Sequence, residues 1–331
     1  MMRFRCVAFV CLALTCASAQ AGEWRVRPVN VPARVTDIET VGGQVRLLAG
    51  GLWYAVKRAG DTFTLAFIDD PALPKLPDGA LPDGHMAAGT HEIARAWLAE
   101  PTDRYDHGAL GDKIEAAALV IEMRDGTRQT VRLKGDAVFE DLKPRIADVT
   151  GEGHDEIVLV KSYLKRGSAL AVIGARKGKY EIVAETPPLG APHRWLDPAG
   201  IADFTGDHKI GIALVREPHL VGSLELWGWR DNKLQRLAEL PDAANHIAGT
   251  RAIDMAVVGD FDGDNTPDIA IPSLDRTQLR IVSFAPRARE IARIALPAKA
   301  ATNLGLIDGV TAPAVALGLA DGSLVLVVRD D

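Results

Sequence analysis

Residues 259–273, GDFDGDNTPDIAIPS, have the types and spacing that most clearly suggest chemistry. Four aspartates stand at positions 1, 3, 5 and 9 of a loop, where they repel one another unless a cation lies between them. Hard oxygen ligands at this spacing suit Ca²⁺, which binds about six to eight oxygens in flexible geometry. The alternative is an acidic turn that holds no ion. We predict a calcium site made by the side chains of Asp260, Asp262, Asp264 and Asp268 and the backbone carbonyl of Thr266.

Other ions fit this loop less well. An EF-hand needs a bidentate glutamate at position 12, which here is Ile271, and the sequence predicts no flanking helices. Magnesium gives up its water shell reluctantly, and zinc prefers nitrogen and sulfur ligands, which the loop lacks. Calcium is therefore the expected cofactor.

Two further loops, 147–157 and 202–212, share this spacing. The first aspartates of the three loops are 55 and 57 residues apart. The second loop has Gly211 at position 9, so we expect no metal there. The first loop suits calcium less well than the Asp260 loop, because its glutamates are longer and its threonine is neutral. Its predicted ligands are the side chains of Asp148, Thr150, Glu152 and Glu156 and the carbonyl of His154.

Weaker copies extend the repeat in both directions. Residues 306–315 keep an Asp-Gly pair and a proline but lack three of the carboxylates. The triplet at 91–93 resembles His154-Asp155-Glu156-Ile157, and residues 37–39 are interpreted as the start of another unit. A repeat at this interval is typical of solenoids and propellers.

Alternating polar and apolar residues, interrupted by turn residues every 8 to 12 positions, predict an all-β chain from residue 24 onward. Asp125-Gly126, Lys177-Gly178, Asp231-Asn232 and Asp321-Gly322 are typical of tight hairpins. The predicted strands include 44–48, 62–67, 156–160, 169–173, 223–227, 278–284 and 323–328.

Each repeat unit therefore predicts an acidic loop followed by four strands, which is the pattern of a propeller blade. Only 24 residues follow Ile307, so we expect residues 24–35 to complete the last blade and close the ring. The prediction is a β-propeller of six blades of four antiparallel strands, with five or seven blades left open. The alternatives are a β-solenoid or a pair of sandwiches.

The acidic loops also resemble a known repeat. Residues 260–269 are similar to the D-x-[DN]-G-D-G-x-x-D-[LI] core of FG-GAP/VCBS repeats of the integrin alpha-subunit propeller, with Asn265 at a position where the family has glycine. Residues 144–148 and 194–203 resemble exported bacterial proteins with such repeats, and the clear matches cover 145–271. The resemblance implies a propeller with calcium in loops on one face, and no defined activity.

The N-terminus predicts export. Residues 1–21 combine two arginines, an apolar run of 12 residues and two A-x-A sites, as in a secretory signal peptide removed after Ala21. A lipoprotein attached through Cys16 is the lesser alternative, because threonine precedes that cysteine. Residues 22–331 would then form one propeller domain in the periplasm or outside the cell, with no transmembrane span.

Composition excludes one class of partner and one kind of covalent cross-link. Removing residues 1–21 lowers Lys+Arg from 38 to 36 against 44 Asp+Glu, for a net charge of −8, and such an acidic protein is not expected to bind nucleic acid. All three cysteines lie in the leader, so the mature chain has no disulfide. We expect a monomer.

Motifs for nucleophilic catalysis are absent from the sequence. Two polar segments, 102–112 and 245–251, are the exceptions, because in a propeller they could converge at one end of the central channel. The alternative for both is a solvated insertion with satisfied histidines. If the protein is an enzyme, the candidate catalytic residues are Tyr105, His107, Asp112, His246 and Arg251, with His107 or His246 as the base.

Two hypotheses about function follow. The first is a calcium-stabilised, non-catalytic binding or interaction module whose partner is an unknown protein or glycan of the cell envelope. The second is a propeller enzyme, a hydrolase or lyase, with its site at one end of the channel. They differ in whether the five candidate side chains meet around one cavity.

Overall fold

Period-2 alternation and tight turns divide the chain into β-strands. A computed structural model describes residues 22–60, 62–70, 74–309 and 313–330, and the predicted signal peptide lies outside these residues. The described part of the chain contains no helix, so none in it is long and apolar enough to cross a membrane. The strands are β1 (Trp24–Val29), β2 (Val35–Val41), β3 (Gln44–Ala49), β4 (Leu52–Ala59), β5 (Thr62–Ile68), β6 (Ile93–Thr102), β7 (Glu115–Met123), β8 (Arg128–Arg132), β9 (Ala137–Phe139), β10 (Arg145–Ala147), β11 (Glu156–Tyr163), β12 (Gly167–Arg176), β13 (Lys179–Glu185), β14 (Leu196–Ala202), β15 (Gly211–Arg216), β16 (Ser223–Arg230), β17 (Lys233–Leu240), β18 (Val257–Gly259), β19 (Asp268–Pro272), β20 (Gln278–Ser283), β21 (Arg289–Ala295), β22 (Ala300–Ile307), β23 (Ala314–Leu319) and β24 (Leu324–Arg329).

These strands form the antiparallel sheets of a β-propeller. Four sheets have four strands each, in the orders β2-β3-β4-β5, β14-β15-β16-β17, β18-β19-β20-β21 and β22-β23-β24-β1. The predicted strands and all four predicted hairpin turns are present. The all-β propeller prediction is therefore confirmed.

The ring is closed by the two ends of the chain. Strand β1 pairs antiparallel with β24, with Trp24 opposite Arg329 and Val29 opposite Leu324. Trp24 also packs against Phe261, with their ring centroids 6.0 Å apart. The N-terminal strand thus completes the last sheet, as the shortage of residues after Ile307 predicts.

The remaining sheet has eight strands and joins two predicted repeats. Strand β9 pairs with both β7 and β11, so it links β6, β7 and β8 to β10, β11, β12 and β13. Ala80 and Ala87 form isolated bridges to β6, where a first, innermost strand would be expected. Because two repeats share one sheet, the number of blades stays a prediction.

Neighbouring sheets pack through glycines on their inner strands. A Cβ added at Gly305 of β22 would lie 2.5 Å from Cγ1 of Val45, in the next sheet around the ring. Gly200 of β14 meets Val258 in the same way, and Gly259 of β18 meets Leu306. Because each glycine has no Cβ, a side chain of the next sheet can pack directly against its backbone. The inner strands can therefore lie close together around the axis.

Candidate functional site

The strongest metal-site geometry lies in the Asp260 loop, which connects β18 to β19. Carboxylate oxygens of Asp260, Asp262 and Asp268 lie within 4.8 Å of one another. Asp264 is outside this group, and its Oδ1 accepts a hydrogen bond of 2.7 Å from the Thr266 N–H. The structure therefore brings together three of the five predicted ligands.

Asp268 is the most buried carboxyl group of this loop. Its side chain is fully buried, and Oδ1 has no hydrogen-bond partner among the described residues, while Oδ2 accepts from the Phe261 N–H at 3.0 Å. Burial, with repulsion from Asp262 and Asp264, raises the pKa of Asp268 to about 7. Arg289 lies 2.9 Å from Oδ2 of Asp262 and neutralises part of the loop. A calcium ion would give Asp268 Oδ1 its missing partner, so the donor set fits this ion.

The other two loops keep the same turn with different side-chain partners. Residues at position 6 have positive φ in all three loops: Gly153, His208 and Asn265. In the Asp148 loop, Glu156 accepts hydrogen bonds from the backbone N–H and the hydroxyl of Thr150. Within the described ranges, a group of three or more His, Cys, Asp or Glu ligands occurs in the Asp260 loop alone.

A cavity of about 930 Å³ lies on the axis of the ring. Its walls come from β2, β10, β14, β18 and β22 and from segments 83–86 and 251–256, and we call it the axial cavity. Lys143 Nζ lies 2.5 Å from Asp254 Oδ2, and 48% of the Asp254 side chain is exposed because it faces this space. Its charged and imidazole-bearing lining residues are Asp37, Glu39, Asp83, His85, Lys143, Arg145, Arg251 and Asp254.

The candidate catalytic residues lie at one end of the ring. The acidic loops follow the inner strands β10, β14 and β18, whereas the segments containing Glu140, Trp195 and His246 precede these strands. Since inner strands of a propeller run in the same direction, these segments lie at the end opposite the acidic loops, which we call the mouth.

At the mouth, His107 forms a dyad with a buried carboxylate. His107 Nδ1 lies 2.5 Å from Glu140 Oε1, and the other Glu140 oxygen accepts from the Ser162 hydroxyl. The bond to Glu140 places a proton on Nδ1, which leaves Nε2 of a neutral ring as an acceptor. This arrangement can orient an imidazole as a general base.

Tyr105 lies beside this dyad, with its ring centroid 5.9 Å from that of His107. Burial, with the charge of Glu140 next, raises the pKa of Tyr105, so its hydroxyl stays protonated. Its oxygen accepts a hydrogen bond from the His193 N–H at 2.9 Å. Burial and the same Glu140 charge also raise the pKa of Glu115, well above the usual range of a carboxyl group.

His246 belongs to a second hydrogen-bonded chain. Its Nε2 lies 2.9 Å from the Thr250 carbonyl, which only accepts, so this nitrogen carries the proton. Its Nδ1 then accepts from His219 Nε2, also at 2.9 Å. Burial lowers the pKa of His246 to about 3 and that of His219 to about 4, so both rings are neutral at pH 7.

The five candidate catalytic residues do not meet at hydrogen-bonding distance as one group. Arg251 joins Asp112 at 2.9 Å and Asp83 at 2.9 Å, at the mouth end of the axial cavity. Trp195 links the other two groups, because its indole donates to the Glu140 carbonyl at 3.2 Å and its ring lies 4.7 Å from His246.

Several residues of the mouth were not predicted from the sequence: Glu140, Ser162, His193, Trp195 and His219. Glu140 stands next to Asp141 directly before a predicted repeat, which is the signal that could have drawn attention to it. The others lie in ordinary turns and strand ends.

Comparisons with known proteins identify no family for this chain. No model of a known protein family matches the chain, and no curated protein matches it. The rhamnogalacturonan lyase YesW is 15% identical with a TM-score of 0.45, over 87% of this chain and 55% of the lyase. BBS1N, from a complex with ARL6DN, is 12% identical with a TM-score of 0.41. This similarity covers 94% of this chain and 98% of BBS1N. The chain thus spans about half of the lyase, and neither similarity supports an argument about activity.

Proposed function

We propose that this protein is an exported, calcium-stabilised β-propeller that binds a protein or glycan of the cell envelope without catalysis. The observation that supports binding is the axial cavity of about 930 Å³, which several charged side chains line. Concave sites with a few polar groups on an apolar wall are typical of ligand pockets. The absence of nucleophile motifs from the sequence favours binding over catalysis.

Calcium has a structural role in this proposal. The ion would hold Asp260, Asp262 and Asp268 at the β18–β19 connection and cancel their repulsion. Sites in extracellular modules bind calcium with a Kd on the order of 10⁻⁴–10⁻³ M, which suits an exported protein. The FG-GAP/VCBS resemblance supports the same role for the loop.

The experiment is capture of envelope components on immobilised protein, with and without calcium, followed by mass spectrometry. The test variant, Lys143→Gln with Asp254→Asn, removes the cavity ion pair while keeping size and polarity. The control variant, Glu181→Gln, changes one exposed charge on β13, away from the cavity. We expect the test variant to lose a component that the control retains. Identical capture by both variants would contradict binding in the axial cavity.

The dyad of His107 and Glu140 favours a second candidate function, a hydrolase or lyase acting at the mouth. Nε2 of His107 would accept the proton of a water molecule or of a substrate carbon. Release of reducing or unsaturated sugar ends from envelope glycans would reveal such an activity. We expect it to be lost in His107→Ala and retained in His208→Ala, whose ring is fully exposed at the opposite end.

A further inference from the structure

The charges of the axial cavity do not balance. Lys143 pairs with Asp254 and Arg251 with Asp83, while Arg145 donates to Asp141 at 2.8 Å. Asp37 lines the same cavity without an ion-pair partner among the described residues. Its Oδ1 accepts only from the Ile38 N–H, at 2.8 Å.

Asp37 lies in an environment that disfavours its charge. Burial, with repulsion from Asp254, raises the pKa of Asp37 despite the hydrogen bond from Ile38. Lys143 is already engaged with both oxygens of Asp254. His85 supplies no counter-charge, because burial and Lys143 lower its pKa.

A second carboxyl group, buried behind the lining of the cavity, is also incompletely satisfied. Asp197 is 1% exposed, and its Oδ2 has no hydrogen-bond partner in the described chain. It precedes Pro198, which lines the cavity, and its nearest cation is Arg145 at 3.7 Å. The Arg145 Nη2 atom has no hydrogen-bond partner in the described chain either, so Arg145 and Asp197 form an ion pair without a hydrogen bond. Asp197 does not itself line the cavity, so Asp37 remains the acidic lining residue without an ion pair among the described residues.

Most of the uncharged lining is aliphatic, with Thr40 and Asn303 as polar exceptions. The apolar residues include Ile38, Ile253, Val257, Leu304 and Leu306, and none of the described lining residues is Phe, Tyr or Trp. A sugar ring would find no aromatic face to stack on, whereas a methylene chain would pack well against these side chains.

We propose that the axial cavity binds a primary alkylammonium group, with the ammonium at Asp37, which has no cationic partner among the described lining residues, and the alkyl chain along the aliphatic wall. The group is either a lysine side chain of a partner protein or a free diamine. An ammonium offers three N–H donors to carboxylates and needs no fixed plane. This inference rests on the proposed function, which makes the axial cavity the ligand site.

The test is isothermal titration calorimetry with three probes: cadaverine, a lysine-containing tripeptide and the same tripeptide with an acetylated lysine. The acetylated peptide keeps the alkyl chain but lacks the charge. We expect the amines to bind and the acetylated peptide not to bind. Asp37→Asn should weaken amine binding at least tenfold, and Glu181→Gln should not change it.

The two amine probes distinguish the sources of the ligand, because a deep site reached only by a free diamine would exclude the tripeptide. If Asp37→Asn does not fold, Asp254→Asn alone provides the second variant, and it should also weaken amine binding because it removes a negative charge beside Asp37. Equal binding of charged and acetylated peptides, or no heat with either amine, would overturn the proposal. If envelope capture still depends on the cavity in that case, only the ligand class is wrong; if capture fails too, the proposed function is wrong.

Discussion

In the proposed calcium site, Asp268 would couple ion binding to pH. Its pKa is raised to about 7, from an ordinary 3.8, chiefly by burial. The folded state therefore holds this proton more tightly than the unfolded state, so the contribution of Asp268 to stability is full below about pH 4 and is lost as the pH rises to about 7. Calcium would bind the ionised carboxylate, so the stabilisation by calcium should increase as the pH rises over the same range.

The prediction is that the calcium-induced increase in Tm is larger at about pH 7.5 than at about pH 5.5. Asp268→Asn has no carboxyl group to titrate and should show a small increase at both values. Thermal unfolding with calcium or with EDTA measures this. A wild-type increase that is the same at both pH values would contradict the role of Asp268.

Glu140 is a second buried residue on which the stability of the fold should depend. Its side chain is inaccessible, and it satisfies both His107 and Ser162. Glu140→Ala would leave the buried Ser162 hydroxyl and the partly buried His107 imidazole without this partner and should lower the free energy of unfolding by about 1–3 kcal/mol. Ser162→Ala removes one hydrogen bond and should cost less. Chemical denaturation of both variants measures this, and equal costs would contradict a shared network.

At the residue scale, sequence spacing predicts part of each site. Positions 1, 3 and 9 of the acidic loop bring Asp260, Asp262 and Asp268 together, because the turn itself places them. Position 5 does not join them, since Asp264 forms its own turn with Thr266. The residues around His107 and His246 come from distant connections, so only ring closure brings them near each other.

At the scale of the strands, the N-terminal strand is the most consequential element. Strand β1 covers the edge of β24 and places Trp24 and Val26 against the core of the last two sheets. Free sheet edges pair with other chains and lead to aggregation.

A chain that begins at residue 31 should therefore unfold at a lower temperature than one that begins at residue 22, and it should aggregate. The loss should be several kcal/mol, since burying each large apolar side chain contributes about 1.5–3 kcal/mol. Adding a peptide of residues 22–30 should restore part of the Tm in proportion to its concentration. An unchanged Tm in the truncated chain would contradict closure by β1.

Turn chemistry predicts the hairpins, because Asp-Gly and Lys-Gly pairs adopt the positive φ that tight turns require. The sequence does not predict the innermost segment of one repeat, residues 80–87. Residues 80–87 pair with β6 only at two isolated bridges and have no alternating pattern. Residues 37–39 lie within β2, which turns into β3 at Gly42-Gly43 rather than through an acidic loop.

At the scale of the whole molecule, the sheets fit together through glycines. A Cβ at Gly305 would lie 2.5 and 2.8 Å from the two methyl carbons of Val45. Gly305→Ala should lower the free energy of unfolding by about 1–3 kcal/mol, because the added methyl overpacks the contact between sheets. Gly135→Ala is the matched control, since nothing lies within 4 Å of an added Cβ there. Equal Tm values for both variants would contradict the proposed fit between sheets.

The proposed calcium ion connects the three scales, because it would hold three carboxylates, fix the β18–β19 connection and stabilise the ring. Thermal unfolding of wild type and Asp262→Asn, each with millimolar calcium and with EDTA, tests this most directly. We expect calcium to stabilise the wild type by on the order of 1 kcal/mol, or about 2–4 °C in Tm, and to have little effect on Asp262→Asn. A wild-type Tm that EDTA leaves unchanged would contradict the account.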